Sequence, residues 1–303
     1  MKKSLLLIAA GLITAASFQS CKTGGSDAVN LKMNLQPGSK YAYVMDMKTN
    51  MEQSAMGQTM KTENNVLMES TYEVATGEGS DKKLIISYDR IAMSLKNPMM
   101  NMEYDSKEGG KKDSMLNAMS LILNKPFTIT ISEKGEIKKI EGIDNIINSI
   151  GNTGTQEDEM LRRQVASTLN DSVIRSMMRQ SLDIYPDKAV KIGDTWTKTM
   201  PITMGPVPIK MDNTYKLISI TGDTAHLNIN SKISSNGTSI QQGGQEIKVD
   251  LNGDAKGTID VEVATGLVID SKIKQSIKGE MSAMAMKMPM SVTIDTHVTG
   301  KKK

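Results

Sequence analysis

The sequence predicts an α+β fold: one large antiparallel β-sheet, curved and open to a duplicated reading, with a central helical insertion packed on its apolar face. Three observations carry this expectation. Apolar and polar residues alternate with a period of two over much of the chain, as in Ile247-Lys248-Val249-Asp250-Leu251 and Ile259-Asp260-Val261-Glu262-Val263. Such alternation marks a sheet with one covered and one wet face. Turn-forming pairs such as Asn236-Gly237, Gly243-Gly244, Asn252-Gly253 and Thr265-Gly266 separate these runs. Between residues 157 and 184 the period lengthens to four, with Leu161, Val165, Leu169, Val173 and Met177 on one stripe.

At the N-terminus, Lys2 and Lys3 precede an apolar stretch containing Leu5-Leu6-Leu7-Ile8-Ala9-Ala10. From Ser4 to Phe18 it is shorter than the roughly 20 residues that cross a bilayer. Ser20-Cys21 follows, and Cys21 is the only cysteine. This resembles a lipoprotein signal and its lipobox, although Phe18 stands where Leu is usual. The reading is a signal peptide over residues 1–20, lipidation at Cys21 and a tether over 21–30 that begins Lys22-Thr23-Gly24-Gly25-Ser26. A membrane partner follows from the lipid. The expected address is the cell envelope of a Gram-negative bacterium, at the outer membrane facing the periplasm.

The mature chain then reads as a single α+β domain over 31–300: β-rich over 31–140, helical over 141–185, β-rich again over 190–300. The first strands are expected at Lys40–Thr49, Lys61–Val74 and Lys82–Leu95. A hairpin, Phe127–Ser132 with Glu136–Ile140, turns at Lys134-Gly135. Helices are expected at Asp113–Leu123, Ile143–Ile150 and Glu157–Ile184. The last carries a capping-box pair, Thr155 and Asp158, and has to stop before Pro186. Residues 71–91 can be laid on 214–233 with a one-residue gap, but they share too few identities to count as a repeat.

Composition narrows the function. The chain has 37 basic and 34 acidic residues, and loss of Lys2 and Lys3 with the signal leaves 35 against 34. One Trp, two Phe and seven Tyr leave few stacking platforms, so no nucleic-acid partner is expected. His226 and His297 are the only histidines, and strand parity puts both on the wet face. With one cysteine besides, no metal site and no cofactor are expected. Ser80-Asp81-Lys82-Lys83 and Ser271-Lys272-Ile273-Lys274 have Ser-x-x-Lys spacing but fall in a turn and a strand, where a Ser-Lys nucleophile does not operate. No catalytic residue is assigned, and an enzyme is not expected.

Methionine stands out, with 25 residues. Met284, Met286, Met288 and Met290 alternate and share the parity of Val292, Ile294 and Val298, so they belong to the apolar face of one long strand; Pro289, on the other face, argues for an edge or a bulge. Further clusters are Met45-Asp46-Met47, Met56 with Met60, and Met99-Met100-Asn101-Met102. Three readings are open: core filling where aromatics are missing, a soft surface for an acyl chain, or a thioether site for Cu(I).

Two stretches, Tyr185-Pro186-Asp187-Lys188-Ala189-Val190-Lys191-Ile192-Gly193-Asp194-Thr195-Trp196 and Tyr88-Asp89-Arg90-Ile91-Ala92-Met93, together resemble an uncharacterised family of Gram-negative lipoproteins built around a Gly-Asp-x-Trp turn. The resemblance implies coverage of most of 31–300 and brings no activity and no catalytic residues. At the level of fold, the expected architecture is similar to LolA/LolB-type lipoprotein carriers, in which a curved sheet holds an acyl chain. The leading expectation is non-enzymatic binding of an apolar or lipid ligand, with Met284, Met286, Met288 and Met290 as its wall. The alternative is a structural or partner-binding envelope lipoprotein with a filled core.

Overall fold

A computed structural model describes residues 28–55, 57–108, 121–150, 155–204, 207–242, 245–283 and 286–303. Their elements run β1 (Lys40–Ala55), β2 (Gln58–Thr76), β3 (Lys82–Asn97), β4 (Met100–Asp105), β5 (Phe127–Ile131), β6 (Ile137–Glu141), α1 (Ile143–Asn148), α2 (Gln156–Thr168), α3 (Asp171–Leu182), β7 (Thr195–Met204), β8 (Val207–Thr221), β9 (Thr224–Ser234), β10 (Thr238–Gln242), β11 (Gln245–Glu262), β12 (Val268–Ala283) and β13 (Met286–Lys302). All thirteen strands join one open sheet in the order β6-β5-β3-β2-β1-β13-β12-β11-β9-β8-β7, with β4 on β3 and β10 on β11. Every strand pairing is antiparallel. The first and last strands meet in the middle, Tyr41 opposite Lys302 and Gln53 opposite Met290, so each half of the chain supplies one wing.

This overturns the α+β expectation. The protein is predominantly antiparallel β, and among the described residues its three α-helices are only 6, 13 and 12 residues long. Two physical reasons account for the difference. The strands are longer than turn chemistry indicated: β2 has 19 residues and β11 has 18. Asn252-Gly253, expected as a turn, lies inside β11, where Gly253 serves a close strand approach instead: a Cβ there would sit 2.2 Å from the Ser276 carbonyl oxygen. The expected helix over 157–184 breaks at Leu169, and Asn170 starts a new one by accepting the Val173 N–H at 3.0 Å. Asparagine favours a cap over a helix interior because its side chain competes for backbone hydrogen bonds. The Thr155 cap forms as expected, with its hydroxyl accepting from the Asp158 N–H at 3.3 Å.

Residues 113–120 of the expected helix Asp113–Leu123 lie outside the described residues, as do residues 1–27, including Cys21. Of the expected tether, Val29 is already structured and exchanges two backbone hydrogen bonds with Val190. Pro289 sits in β13, a central strand rather than an edge. It lies one residue beyond the last pairing with β1, where its missing N–H costs no bond to that neighbour.

The apolar faces of the strands turn inward onto α1–α3 and onto residues 31–35, of which Leu31, Met33 and Leu35 are buried. That short segment is tied at both sides, Met33 N–H to the Glu133 carbonyl and Asn34 N–H to the Thr265 carbonyl, each at 2.7 Å. Burying an Ile, Leu or Val side chain is worth about 1.5–3 kcal/mol, so this inward face is the main source of stability. It divides into two clusters. The upper one holds Tyr215, Leu217, Ile129 and the helices. The lower one holds Met200, Met211, Val249, Leu251, Ile277 and Val292.

Candidate functional site

The inner face is not filled everywhere. Where α3 crosses the sheet, a cavity of about 280 Å³ remains between the helix and the strands. Met177 and Ser181 face it from α3, Met45 and Met68 from β1 and β2, Ile273 from β12, and Ile202 from β7. A smaller void of about 70 Å³ shares Met45, Met68, Met177 and Ser181 with it and continues toward Tyr43, Tyr72 and Tyr185. Burial pushes the phenol pKa of Tyr43, Tyr72 and Tyr185 upward, and that of Tyr88 up to about 12. These hydroxyls therefore stay protonated and uncharged at neutral pH. A larger depression, about 410 Å³ over β2–β4, is shallow and takes Asp46, Glu103, Asp105 and Glu108 into its rim. It offers no enclosed apolar wall, so the hollow under α3 is the better candidate site.

Local sequence explains why α3 sits there. The segment after it holds the two ends of the inner face together. The Tyr185 hydroxyl donates to the Gly266 carbonyl at 2.5 Å, in the turn between β11 and β12. The Trp196 indole N–H donates to the Ile184 carbonyl at 2.7 Å, and its ring stacks on Tyr215 with centroids 5.6 Å apart and planes 18° apart. Gly193 takes the left-handed conformation at φ 96°, which lets the Asp194 carboxylate accept the Lys191 N–H at 2.9 Å. The Gly-Asp-x-Trp turn is thus a clamp that fixes the exit of α3 against β7 and β8. On the other wing, Asp89 is the extra residue of a bulge opposite Glu69 and Ser70. Beside it Arg90 donates to both Asp105 oxygens, at 3.1 and 2.6 Å, and to Glu69 at 2.8 Å. These hydrogen bonds to Arg90 hold the Glu69 and Asp105 carboxyls below their ordinary values.

The sequence-predicted wall lies elsewhere on the same face. Met284 is outside the described residues. Met286 is exposed at 38%, Met288 lies opposite Met281, and Met290 packs on the lower cluster. None of Met286, Met288 and Met290 lines the cavity, which takes from β13 the residues Ile294, Thr296 and Val298 of the same parity. The methionines that do line it, Met45, Met47, Met68, Met177 and Met204, come from four separate places in the sequence. The Met45-Asp46-Met47 alternation and the stripe position of Met177 were the available signals. Position along a strand relative to α3 has no counterpart in sequence.

The histidines are on the outer face and each meets a carboxylate at 2.8 Å, His226 with Asp260 and His297 with Asp270. Burial raises the Asp270 carboxyl, but the His297 hydrogen bond and the His297 and Lys272 charges outweigh it and hold it below the usual range. Among the described residues, no group of three or more His, Cys, Asp or Glu is placed to hold a metal ion, and no helix is long and apolar enough to cross a membrane.

Among solved structures, lipovitellin, in a study of its lipid–protein interactions, is similar over 88% of this chain at 11% identity and a TM-score of 0.47; this chain spans 25% of its length. An outer membrane channel from Pseudomonas putida F1 covers 91% of this chain and is itself covered fully, at 8% identity and a TM-score of 0.21. The translocator domain of the autotransporter NalP from Neisseria meningitidis covers 88%, with 90% of its own length, at 7% identity and a TM-score of 0.22. None of the three overlaps closely enough to establish a shared fold. No curated protein matches. The model of a family of unknown function, DUF6263, matches residues 79–268, a span holding both the Tyr88–Met93 and the Tyr185–Trp196 stretches, and the chain belongs to that family.

Proposed function

We propose that this protein binds an apolar or lipid ligand, without covalent chemistry, in the hollow between α3 and the curved sheet, and that it does so at the cell envelope while anchored through Cys21. The observation that carries the reading is the cavity of about 280 Å³ with a wall of methionine, isoleucine and valine. A well-packed interior leaves few voids larger than a water molecule, and each one forfeits contact energy. Specific small-molecule sites are mostly apolar and carry a few placed polar groups, and this hollow adds Ser181, Gln275 and Thr296 to its apolar wall. Methionine suits such a wall because its unbranched thioether adapts to an irregular chain. The competing structural reading requires a filled core at this level, and the hollow disfavours it.

The test is native mass spectrometry of the full chain released gently from the envelope, before and after incubation with phospholipid vesicles. The expected result is an added mass in the lipid range that is reduced or lost in Met177→Trp, whose larger side chain intrudes into the hollow. An apo mass in the wild type under both conditions would overturn the reading. The anchor is tested separately by growth with radiolabelled palmitate: label should be absent from Cys21→Ala, and label retained there refutes attachment at that residue.

A further inference from the structure

The hollow under α3 does not end at the helix. Ile202, Thr203 and Ile209, which bound it on the β7–β8 side, also form the wall of an open cleft of about 530 Å³. The helix divides the two spaces by its own periodicity. One stripe, Met177, Gln180 and Ser181, faces the hollow, and the adjacent stripe, Ser176 and Arg179, faces the cleft. At the seam the Thr203 N–H donates to the Ser176 hydroxyl at 3.3 Å.

Charge is distributed unevenly across this seam. The polar side chains of the hollow, Gln180, Ser181, Thr203, Ser271, Gln275 and Thr296, are all uncharged. An anion inside would be desolvated without a countercharge, so a ligand's charge has to stay at the edge. The cleft places three cations there, and two are already engaged. Arg175 donates to both Asp171 carboxylate oxygens and to the Ile137 carbonyl. Lys210 pairs with Asp212 at 2.8 Å. Arg179 is different: it is half-buried, and among the described residues no carboxylate or carbonyl pairs with its guanidinium. A guanidinium is a planar fork of donors that fits a carboxylate or phosphate bidentately. Arg179 also lies in the last turn of α3, where a cation suits the helix dipole. The dipole accounts for its charge but not for its place on a wall shared with the hollow.

We infer that the ligand is an anionic amphiphile: its acyl chain lies in the hollow, and its carboxylate or phosphate head sits against Arg179 in the cleft. This rests on the proposed apolar site and narrows its ligand class.

The test is displacement of the fluorescent probe N-phenylnaphthylamine from the full chain at pH 8 by dodecanoate, dodecyl phosphate and 1-dodecanol. The wild type should bind both anions about tenfold or more tightly than the alcohol, the worth of a charge-assisted hydrogen bond. Arg179→Gln should bring that preference close to one while probe binding persists. Lys210→Gln, which removes an exposed cation of the same cleft, should leave the preference unchanged. If Arg179→Gln does not fold, Ser176→Asp serves instead: it keeps an acceptor for the Thr203 N–H, puts a carboxylate within one turn of Arg179 and should lower the preference. A preference retained in Arg179→Gln, with only a lower melting temperature, reduces Arg179 to a helix-end cation and overturns the inference. Equal displacement by anions and alcohol in the wild type also overturns it and leaves the apolar site standing. If inorganic phosphate weakens dodecanoate binding as much as dodecyl phosphate does, the cleft is a free-anion site and the lipid-head assignment falls. Failure of the wild type to bind the probe or any of the amphiphiles overturns both readings.

Discussion

Trp196→Phe tests whether the turn after α3 holds the roof of the cavity. The substitution keeps an aromatic ring beside Tyr215 and removes one donor, the indole N–H that reaches the Ile184 carbonyl at 2.7 Å. Ile184 is 1% exposed, so its carbonyl is left without an equivalent partner. Leaving such a group unpaired costs about 1–3 kcal/mol. The loss falls on the segment that pins α3, while the Tyr185 tie to Gly266 and the strand ladders remain. It should therefore appear as easier local opening of α3 more than as global unfolding. At 1.4 kcal/mol per tenfold, the amides of Asp171–Leu182 should exchange about five- to 150-fold faster, and those of β12 and β13 should be nearly unchanged. Hydrogen exchange read by mass spectrometry measures this directly. Exchange in α3 within a factor of two of wild type would refute the clamp, and equal acceleration across the central strands would show that Trp196 supports the whole fold instead.

Two further expectations follow from the strand packing and the outer-face charges. In Gly257→Val, the new Cβ meets the Lys272 carbonyl oxygen at 2.1 Å across the β11–β12 pair, so the variant should lose about 1–3 kcal/mol in urea unfolding; a wild-type midpoint would show that the strands do not need this approach. Hydrogen bonds from Arg90 hold Glu69 and Asp105 below their ordinary values of 4.5 and 3.8, so their stabilisation is present above those values and is lost as pH falls through the lower folded ones. The stability gap between wild type and Arg90→Met should thus be widest near neutral pH and shrink as the pH falls below 4.5 and then 3.8; a gap independent of pH removes the charge cluster as its cause.

Much of the sheet was legible from period-two patterning because each strand has one wet and one covered face. Lys40, Lys82 and Phe127 are the observed first residues of β1, β3 and β5, and the inward parity of β13 holds from Met290 through Val298. The alternation also carries a few polar residues at inward positions. Asn213 stands at an inward position between Met211 and Tyr215, and Ser231 stands between Ile229 and Ile233. In a single strand each is an isolated polar residue; the pairing of β8 with β9 sets them opposite each other. Sequence failed where one residue type serves two geometries. Gly253 reads as a turn, yet in β11 it permits two backbones to approach, and the four-residue stripe over 157–184 continues through Asn170 although its side chain caps a new helix there.

The sequence by itself determined which residues face inward and outward along the strands with clear alternation, the scarcity of charge on the inner face, and the turn residues Gly193, Asp194 and Trp196. Local periodicity and turn chemistry suffice for these because they act within a few residues. Only the tertiary structure decided that β1 pairs with β13, that all strands share one sheet, and that α3 crosses at the level of Ile294–Val298 and not of Met286–Met290. Those outcomes depend on contacts between residues up to about 260 positions apart, such as Tyr41 with Lys302, and no local pattern encodes the depth at which a helix comes to rest on a sheet.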